Sequence, residues 1–298
     1  MLYNNLSGYL RNKYGTRLKK ICIDGGFSCP NRDGKCGTGG CIFCGERGSG
    51  DHIDPSGSIG EQVRSALSGA REGDRFIAYF QNFTNTYAPI SVLRERYDAA
   101  LIDERIVILA IGTRPDCITR EVCELIASYK ERCDVWVELG LQTSDDRVAE
   151  RINRGYPLKA FDEAVALLDE YGIKTVAHVI IGLPGDTPEG AVNTVKHLAP
   201  MKLFGIKIHS IYVAEGTRLA DEYRAGRYTP PTLDEYVRCA AECIGYVPKE
   251  TVIHRLTGDC PRDMLVAPEW NKNKTAIIDA MVKEMERRGI SQGLLLEI

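Results

Sequence analysis

Between Ile21 and Val213, short β-branched or aromatic runs alternate with longer stretches whose apolar residues recur at helical spacing, and this alternation restricts the fold more than any other feature. The short runs are Ile21–Asp24, Arg75–Gln81, Arg105–Thr113, Val135–Leu141, Thr175–Gly182 and Gly205–Val213, all of strand length. Between them Val122, Leu125, Ile126 and Tyr129, then Phe161, Ala164, Val165 and Leu168, then Ala191, Val192, Val195 and Ala199 mark apolar helix faces. Pro188 near one helix start and Gly172 just past a helix end supply the usual punctuation. Six strand-then-helix units imply a parallel sheet with right-handed crossovers, either doubly wound or curled. The expected fold is α/β, a partial (β/α)6 barrel of TIM type over residues 21–219. A basic arm (1–20) precedes it, and an α/β extension (220–298) follows and covers the barrel mouth. Pro230 and Pro231 mark the join. Helices are expected at Asp234–Tyr246 and Asn273–Arg288, with Thr251–Leu256 as a candidate seventh strand.

The 298 residues suffice for a large core and a deep cavity, and 44% hydrophobic with 27% charged residues excludes disordered and fibrous classes. No apolar stretch is long enough to span a bilayer, and Met1 to Lys20 has no signal-type apolar block, so a cytoplasmic address and no membrane partner are expected. The net charge of −3 argues against a generally basic nucleic-acid coat. Arg11, Lys13, Arg17, Lys19 and Lys20, with Tyr3, Tyr9 and Tyr14 and no acidic neighbour, nevertheless make the N-terminal arm either an RNA contact or a plain solvated segment.

Eleven cysteines without a secretion signal read poorly as a disulfide framework. Cys22, Cys29, Cys36, Cys41 and Cys44 fall within 23 residues, and Cys29, Cys41 and Cys44 form a C-x11-C-x2-C run on a loop just after the first strand, with Gly34, Gly37, Gly39 and Gly40. Such a loop wraps a compact group and offers backbone N–H to sulfur or anion. A structural zinc site is one reading and would close with a fourth ligand such as Cys22 or Cys36. The other is a 4Fe-4S cluster held by three thiolates, which leaves one iron open to a substrate or cofactor. On that reading Cys22 and Cys36 are packing or incidental thiols.

Phe43 before the last cysteine and the string GFSCPNRDGKCGTGGCIFC (Gly26–Cys44) resemble radical S-adenosylmethionine (SAM) enzymes, in particular the YhcC/YtqA-like family related to the Elongator catalytic subunit. The similarity continues through ELGLQTSDD, INRGY, HVIIGLPGDT, IKIHSIYV and HRLTGDCPRDMLVAPEW, covering nearly the whole chain. It implies a cluster on Cys29, Cys41 and Cys44 whose open iron chelates the amino and carboxylate groups of SAM. It also implies reductive cleavage of SAM to a 5′-deoxyadenosyl radical, with the electron coming from a reductase, flavodoxin or ferredoxin.

By the same resemblance, the backbone of Tyr79, Phe80 and Gln81 holds the SAM amino group, and Gln142 and Arg154 reach its ribose or carboxylate, Arg154 alternatively pairing with Asp145 or Asp146. His178 stands where relatives have an acidic residue, and Gly112 where several have Glu, leaving Arg114 and Asp116 as structural candidates. Glu138 either reaches SAM or pairs with a cation on a neighbouring strand. His209 and Tyr212 end the sixth strand near adenine or substrate. His254, Arg255, Asp259, Cys260 and Arg262 form a candidate lid, with Cys260 a candidate hydrogen-atom donor.

Relatedness to Elongator implies tRNA as partner and chemistry at the carbon-5 substituent of a wobble uridine. The C-terminal part shows no clear acetyl-coenzyme-A-binding domain, so trimming or rearrangement of a side chain is expected rather than acetyl transfer. Two alternatives stand beside this reading: oxidation or rearrangement of a small molecule, as in coproporphyrinogen-oxidase-like proteins, and a metal-stabilised RNA-binding module without catalysis.

Overall fold

The computed structural model describes residues 2–48, 50, 53 and 56–296. Six parallel strands appear where the alternation places them: β1 (Leu18–Ile23), β2 (Arg75–Phe80), β3 (Ile106–Thr113), β4 (Asp134–Gln142), β5 (Lys174–Ile181) and β6 (Gly205–Ser210). Three further strands follow: β7 (Val213–Ala214), β8 (Val252–Arg255) and β9 (Leu265–Ala267). β8 adds to β6 as the seventh parallel strand, whereas β7 and β9 form a separate antiparallel pair. The strands run in chain order across the main sheet, so all crossovers have one sense and the sheet curls around one interior.

The helices are α1 (Leu6–Tyr14), α2 (Ile59–Leu67), α3 (Ile90–Ala100), α4 (Arg120–Ser128), α5 (Asp146–Arg151), α6 (Leu158–Glu170), α7 (Pro188–Leu198), α8 (Arg218–Arg224), α9 (Leu233–Gly245) and α10 (Lys274–Arg288). Their starts are written in the sequence. Thr119 and Thr187 cap α4 and α7, Pro188 occupies the first turn of α7, and Ser58 with Glu61 and Thr232 with Glu235 make full capping boxes on α2 and α9.

Strand residues alternate between two burial environments. Ile21, Ala78, Leu109, Val137, Val179 and Ile208 face the helices in one large core. Ile77, Tyr79, Ile108, Ala110 and Trp136 face the barrel interior with Leu10 of α1. Farther along the strands this inner face turns polar, with Gln81, Glu138, His178, Lys207 and His209 around a cavity.

Two expected boundaries change. Of the expected 1–20 arm, the described residues 2–20 do not stand apart: β1 starts at Leu18, and α1 packs under the barrel with Leu10 buried and Tyr9 edge-on to Phe204 at 5.1 Å. Lys13 and Tyr14 bind Asp134 at the start of β4, and the Ile253 N–H donates to Asn4 O at 2.8 Å. The segment therefore ties β8 to the strand-start end of the sheet. Its apolar residues decide this, since burying Leu10 and Tyr9 outweighs solvating five cations whose head groups can stay in water. The second boundary, expected at 219/220, falls inside α8. The C-terminal region contributes β8 to the main sheet and packs α9 on α7, so it shares the core of the barrel.

Candidate active site

The cavity lies at the C-terminal ends of the strands, where side chains from successive strands converge above a packed interior. Cys29, Cys41 and Cys44 line it together with Phe43 and Gly40. Cys22 and Cys36 do not: Cys22 lies on β1 beside the interior core, and Cys36 is exposed near Asp116.

The loop bearing the three thiols is shaped by the INRGY segment. Asn153, at φ +54°, donates to Gly40 O at 2.7 Å, and Asn31 Nδ2 donates back to Asn153 O at 2.6 Å. The Ile42 N–H donates to Ile152 O at 3.0 Å. Gly40 takes φ +70°, and a Cβ there would meet Arg32 Nε at 2.8 Å, so glycine is required where the loop turns over that guanidinium.

Among the described residues, no three His, Cys, Asp or Glu side chains gather around a point as one metal ion requires. Cys29, Cys41 and Cys44 nevertheless line one cavity, as thiolates that each bind a different iron of a cluster would. Burial, reinforced by the neighbouring Cys44, pushes the Cys41 thiol up to about 12, so the cluster of thiols calls for compensating positive charge. The buried Thr84 hydroxyl lines the same cavity with no hydrogen-bond partner among the described residues, as does His209 Nε2. Three thiols, a glycine-lined wall and orphaned polar atoms fit a polynuclear cluster with a polar ligand beside it.

The expected SAM contacts divide. Tyr79, Gln81, Glu138, Gln142, His178, His209 and Tyr212 all line the cavity. Phe80 does not, because it alternates outward to pack edge-on against Tyr97 at 5.4 Å. Only its backbone remains near, and Phe80 O already accepts from Asn85 at 3.2 Å.

Arg154 is also absent from the lining. It is fully buried, and its guanidinium donates to Leu141 O at 2.7 Å, Thr143 O at 2.6 Å, Tyr156 O at 3.0 Å and Asp146 at 3.0 Å. The pairing with Asp146 is therefore one spoke of a buried brace under the end of β4. Arg114 does line the cavity, with Arg32 and Arg255, and is paired in a two-bond fork with Asp116 at 2.9 and 2.8 Å.

Gln142 has φ +65° at a register shift in β4, which swings its side chain over Gly140. A Cβ at Gly140 would stand 2.5 Å from Gln142 Nε2, and the Tyr156 hydroxyl donates to Gln142 Oε1 at 3.2 Å. The backbone strain is thus over-determined by its neighbours and aims a side-chain amide into the cavity.

Deeper in the cavity, Glu138 is paired with Lys207 and accepts from His178 Nε2 at 3.0 Å. Glu138 thus pairs with a cation, as one of its two expected roles had it, but that cation is on β6, one strand beyond the neighbouring β5. Burial acts to raise its carboxyl, but Lys207 and His178 outweigh that and hold it well below the usual range. Burial and the Lys207 charge push His178 down to about 4, so its imidazole is neutral near neutral pH. Because a carboxylate only accepts, His178 Nε2 carries the proton and Nδ1 is left an acceptor. His209 stacks on it with centroids 5.5 Å apart.

Lys207 had no place in the sequence reading. Its signal was available, since it shares the inward parity of His209 two residues on in β6. Gly112 pairs in register with Glu138, and a Cβ there would meet Phe80 O at 3.1 Å, leaving little room for a larger residue. Of the candidate lid, Arg255 and Asp259 line the cavity, whereas the half-buried Cys260 does not. The structure therefore gives no support to Cys260 as a hydrogen-atom donor.

The buried acidic–histidine set makes stability pH-dependent. His178 at about 4, His254 at about 3 and His209, also depressed by burial, all bind protons more weakly folded than unfolded. Glu138 shifts in the same direction. Stability is therefore present above the unfolded histidine value near 6.5 and is lost as pH falls toward 4, by up to ~1.4 kcal/mol per pH unit for each histidine. The urea midpoint is expected to fall between about pH 7 and about pH 5. An unchanged midpoint would show that these imidazoles are not buried neutral.

The radical SAM superfamily matches residues 34–198, and its C-terminal domain matches 204–287. YtqA of Bacillus subtilis is 38% identical over 295 residues, covering 98% of this chain and 92% of that protein. The tRNA uridine(34) acetyltransferase of Dehalococcoides mccartyi is 32% identical over 192 residues, 63% of this chain and 38% of that one. Among solved structures, the archaeal Methanocaldococcus infernus Elp3 with an N-terminal deletion superposes with TM-score 0.69 at 19% identity, covering 92% of this chain and 64% of that chain, which establishes likeness of fold. The chain belongs to the radical SAM superfamily, and within it to the YhcC/YtqA family. Its cofactors are accordingly a 4Fe-4S cluster and SAM. No helix among the described residues is long and apolar enough to cross a membrane.

Proposed function

We propose that this radical SAM enzyme modifies the carbon-5 substituent of a wobble uridine in tRNA. The observation that carries the reading is the 192-residue similarity to a protein named for acting on tRNA uridine 34, supported by the likeness of fold to Elp3. Bound in the cavity, the cluster and SAM would supply one-electron reduction and radical hydrogen-abstraction chemistry.

The chain's own residues have five tasks. Cys29, Cys41 and Cys44 would hold the cluster. Gln142, the backbone of Tyr79 to Gln81 and the Thr84 hydroxyl would orient SAM beside it. Neutral His178 and His209 offer hydrogen bonds without added charge, and the apolar strand layer below excludes water. Tyr212, Arg255 and Asp259 border the space left for the substrate.

Nucleoside mass spectrometry of tRNA from cells lacking the protein tests the proposal. A changed wobble-uridine profile, restored by the wild-type gene and not by Cys41→Ala, is expected; an unchanged profile rejects the substrate. Of the basic N-terminal residues, Arg11, Lys13 and Arg17 lie at the strand-start end, opposite the cavity. Arg11→Gln with Arg17→Gln is therefore expected to leave the salt dependence of tRNA binding unchanged within error, and a shallower slope of log affinity against log salt would place RNA on that end after all.

A further inference from the structure

The cavity floor, lined by Lys207 and Arg255, and the sheet edge beside it, with Lys20 and Lys274, together carry more positive charge than their neighbours neutralise. β1 and β8 are the two edges of the main sheet, and at the gap between them Lys20 and Cys22 come within electrostatic reach of Arg255 and Asp259. Inside, Lys20 and Lys207 both lie over the Tyr79 ring, 4.6 and 4.9 Å from its centroid. With Lys274 there are four cations. The facing carboxylates are two: Glu138, shared by Lys207 and His178, and Asp259, shared by Arg255 at 3.2 Å and by Lys274. No carboxylate among the described residues is within ion-pair distance of Lys20. The other titratable groups facing this space add no negative charge, because burial holds His178, His209 and His254 neutral and raises the Tyr79 hydroxyl and Cys22 thiol.

Lys207 is enclosed with a carboxylate it shares with His178, and Lys20 stands at the sheet edge with none, so an anion that reaches both meets positive charge the protein leaves unmatched. We infer that Lys20, Lys207 and Arg255 form a subsite for a carboxylate at the end of the substrate's reacting group, which enters between β1 and β8. Only the nature of the rest of the substrate rests on the wobble-uridine proposal. A terminal carboxylate suits the geometry because the Lys207 side chain is 4% exposed and only a slim terminal group reaches it, whereas a phosphodiester is flanked by two sugars. Burial lowers Lys207 to about 7 in the absence of such a partner, and a bound carboxylate would restore its charge.

The test uses the cluster-loaded full chain saturated with SAM, so that SAM's own carboxylate is constant, and without reductant, so that nothing turns over. Calorimetric titration compares 5-carboxymethyluridine with its methyl ester, and glutarate with dimethyl glutarate. The acids are expected to bind about tenfold more tightly than the esters. That preference should shrink to within about twofold in Arg255→Gln, in Lys20→Gln and in the double variant Lys207→Gln with Glu138→Gln, which leaves no buried charge alone. Lys20 is exposed at a sheet edge, so its variant tests the subsite even where the buried pair does not tolerate change. Acid and ester binding alike in both pairs, no binding at all, or a preference that survives every variant overturns the subsite. A preference shown by glutarate while neither nucleoside binds keeps the subsite and rejects the uridine reading; nucleosides that bind without preference reject the subsite and keep the uridine.

Discussion

Cys29→Ala, Cys41→Ala and Cys44→Ala are each expected to reduce 5′-deoxyadenosine formation to background, with iron after anaerobic reconstitution falling well short of four per chain. Cys22→Ala and Cys36→Ala should stay within about twofold of wild type in both measures. The contrast follows from position: the first three line one cavity, while Cys22 belongs to the interior strand face and Cys36 is exposed beside Asp116. A three-thiolate cluster leaves one iron for SAM, so losing any thiolate removes both the grip on the cluster and the reaction. If Cys22→Ala or Cys36→Ala lost iron as completely, a fourth protein ligand would be present and no open corner would remain.

Arg154→Ala carries the second large effect, a loss of about 3–5 kcal/mol in stability measured by urea unfolding. Four donors vanish together, leaving the carbonyls of Leu141, Thr143 and Tyr156 and the carboxylate of Asp146 without them. Each buried acceptor left unmatched costs about 1–3 kcal/mol, partly recovered where water enters. Arg154→Lys should rescue little, because an ammonium cannot reproduce a planar fork with donors pointing three ways. A stable Arg154→Lys protein that had lost SAM affinity would show instead that this guanidinium touches the cofactor.

Arg154 also shows where sequence reading stops. The spacing of Gln142 and Arg154 marks both as polar residues near a strand end, and resemblance assigns both to SAM. Which one faces the cavity depends on a register shift and a left-handed φ at Gln142, and neither leaves a periodic trace. Phe80 is the opposite case. Its outward direction follows from alternation along β2 once Tyr79 and Gln81 face inward, a parity that a motif-based assignment overlooks. Lys207 was legible by the same parity, but its partner was not, because Glu138 lies 69 residues away and is joined to it only through the sheet.

The linear chain determined the strand-and-helix alternation, the helix starts and the C-x11-C-x2-C run, because propensity, capping and side-chain period act over a few residues. Tertiary structure decided the rest: that α1 closes the underside of the barrel, that β8 joins the sheet, that Arg154 braces a strand end, and that Lys207 meets Glu138 while Arg255 meets Asp259. Those outcomes depend on burial and on charges brought together across the sheet, and such energies have no value until the chain has folded.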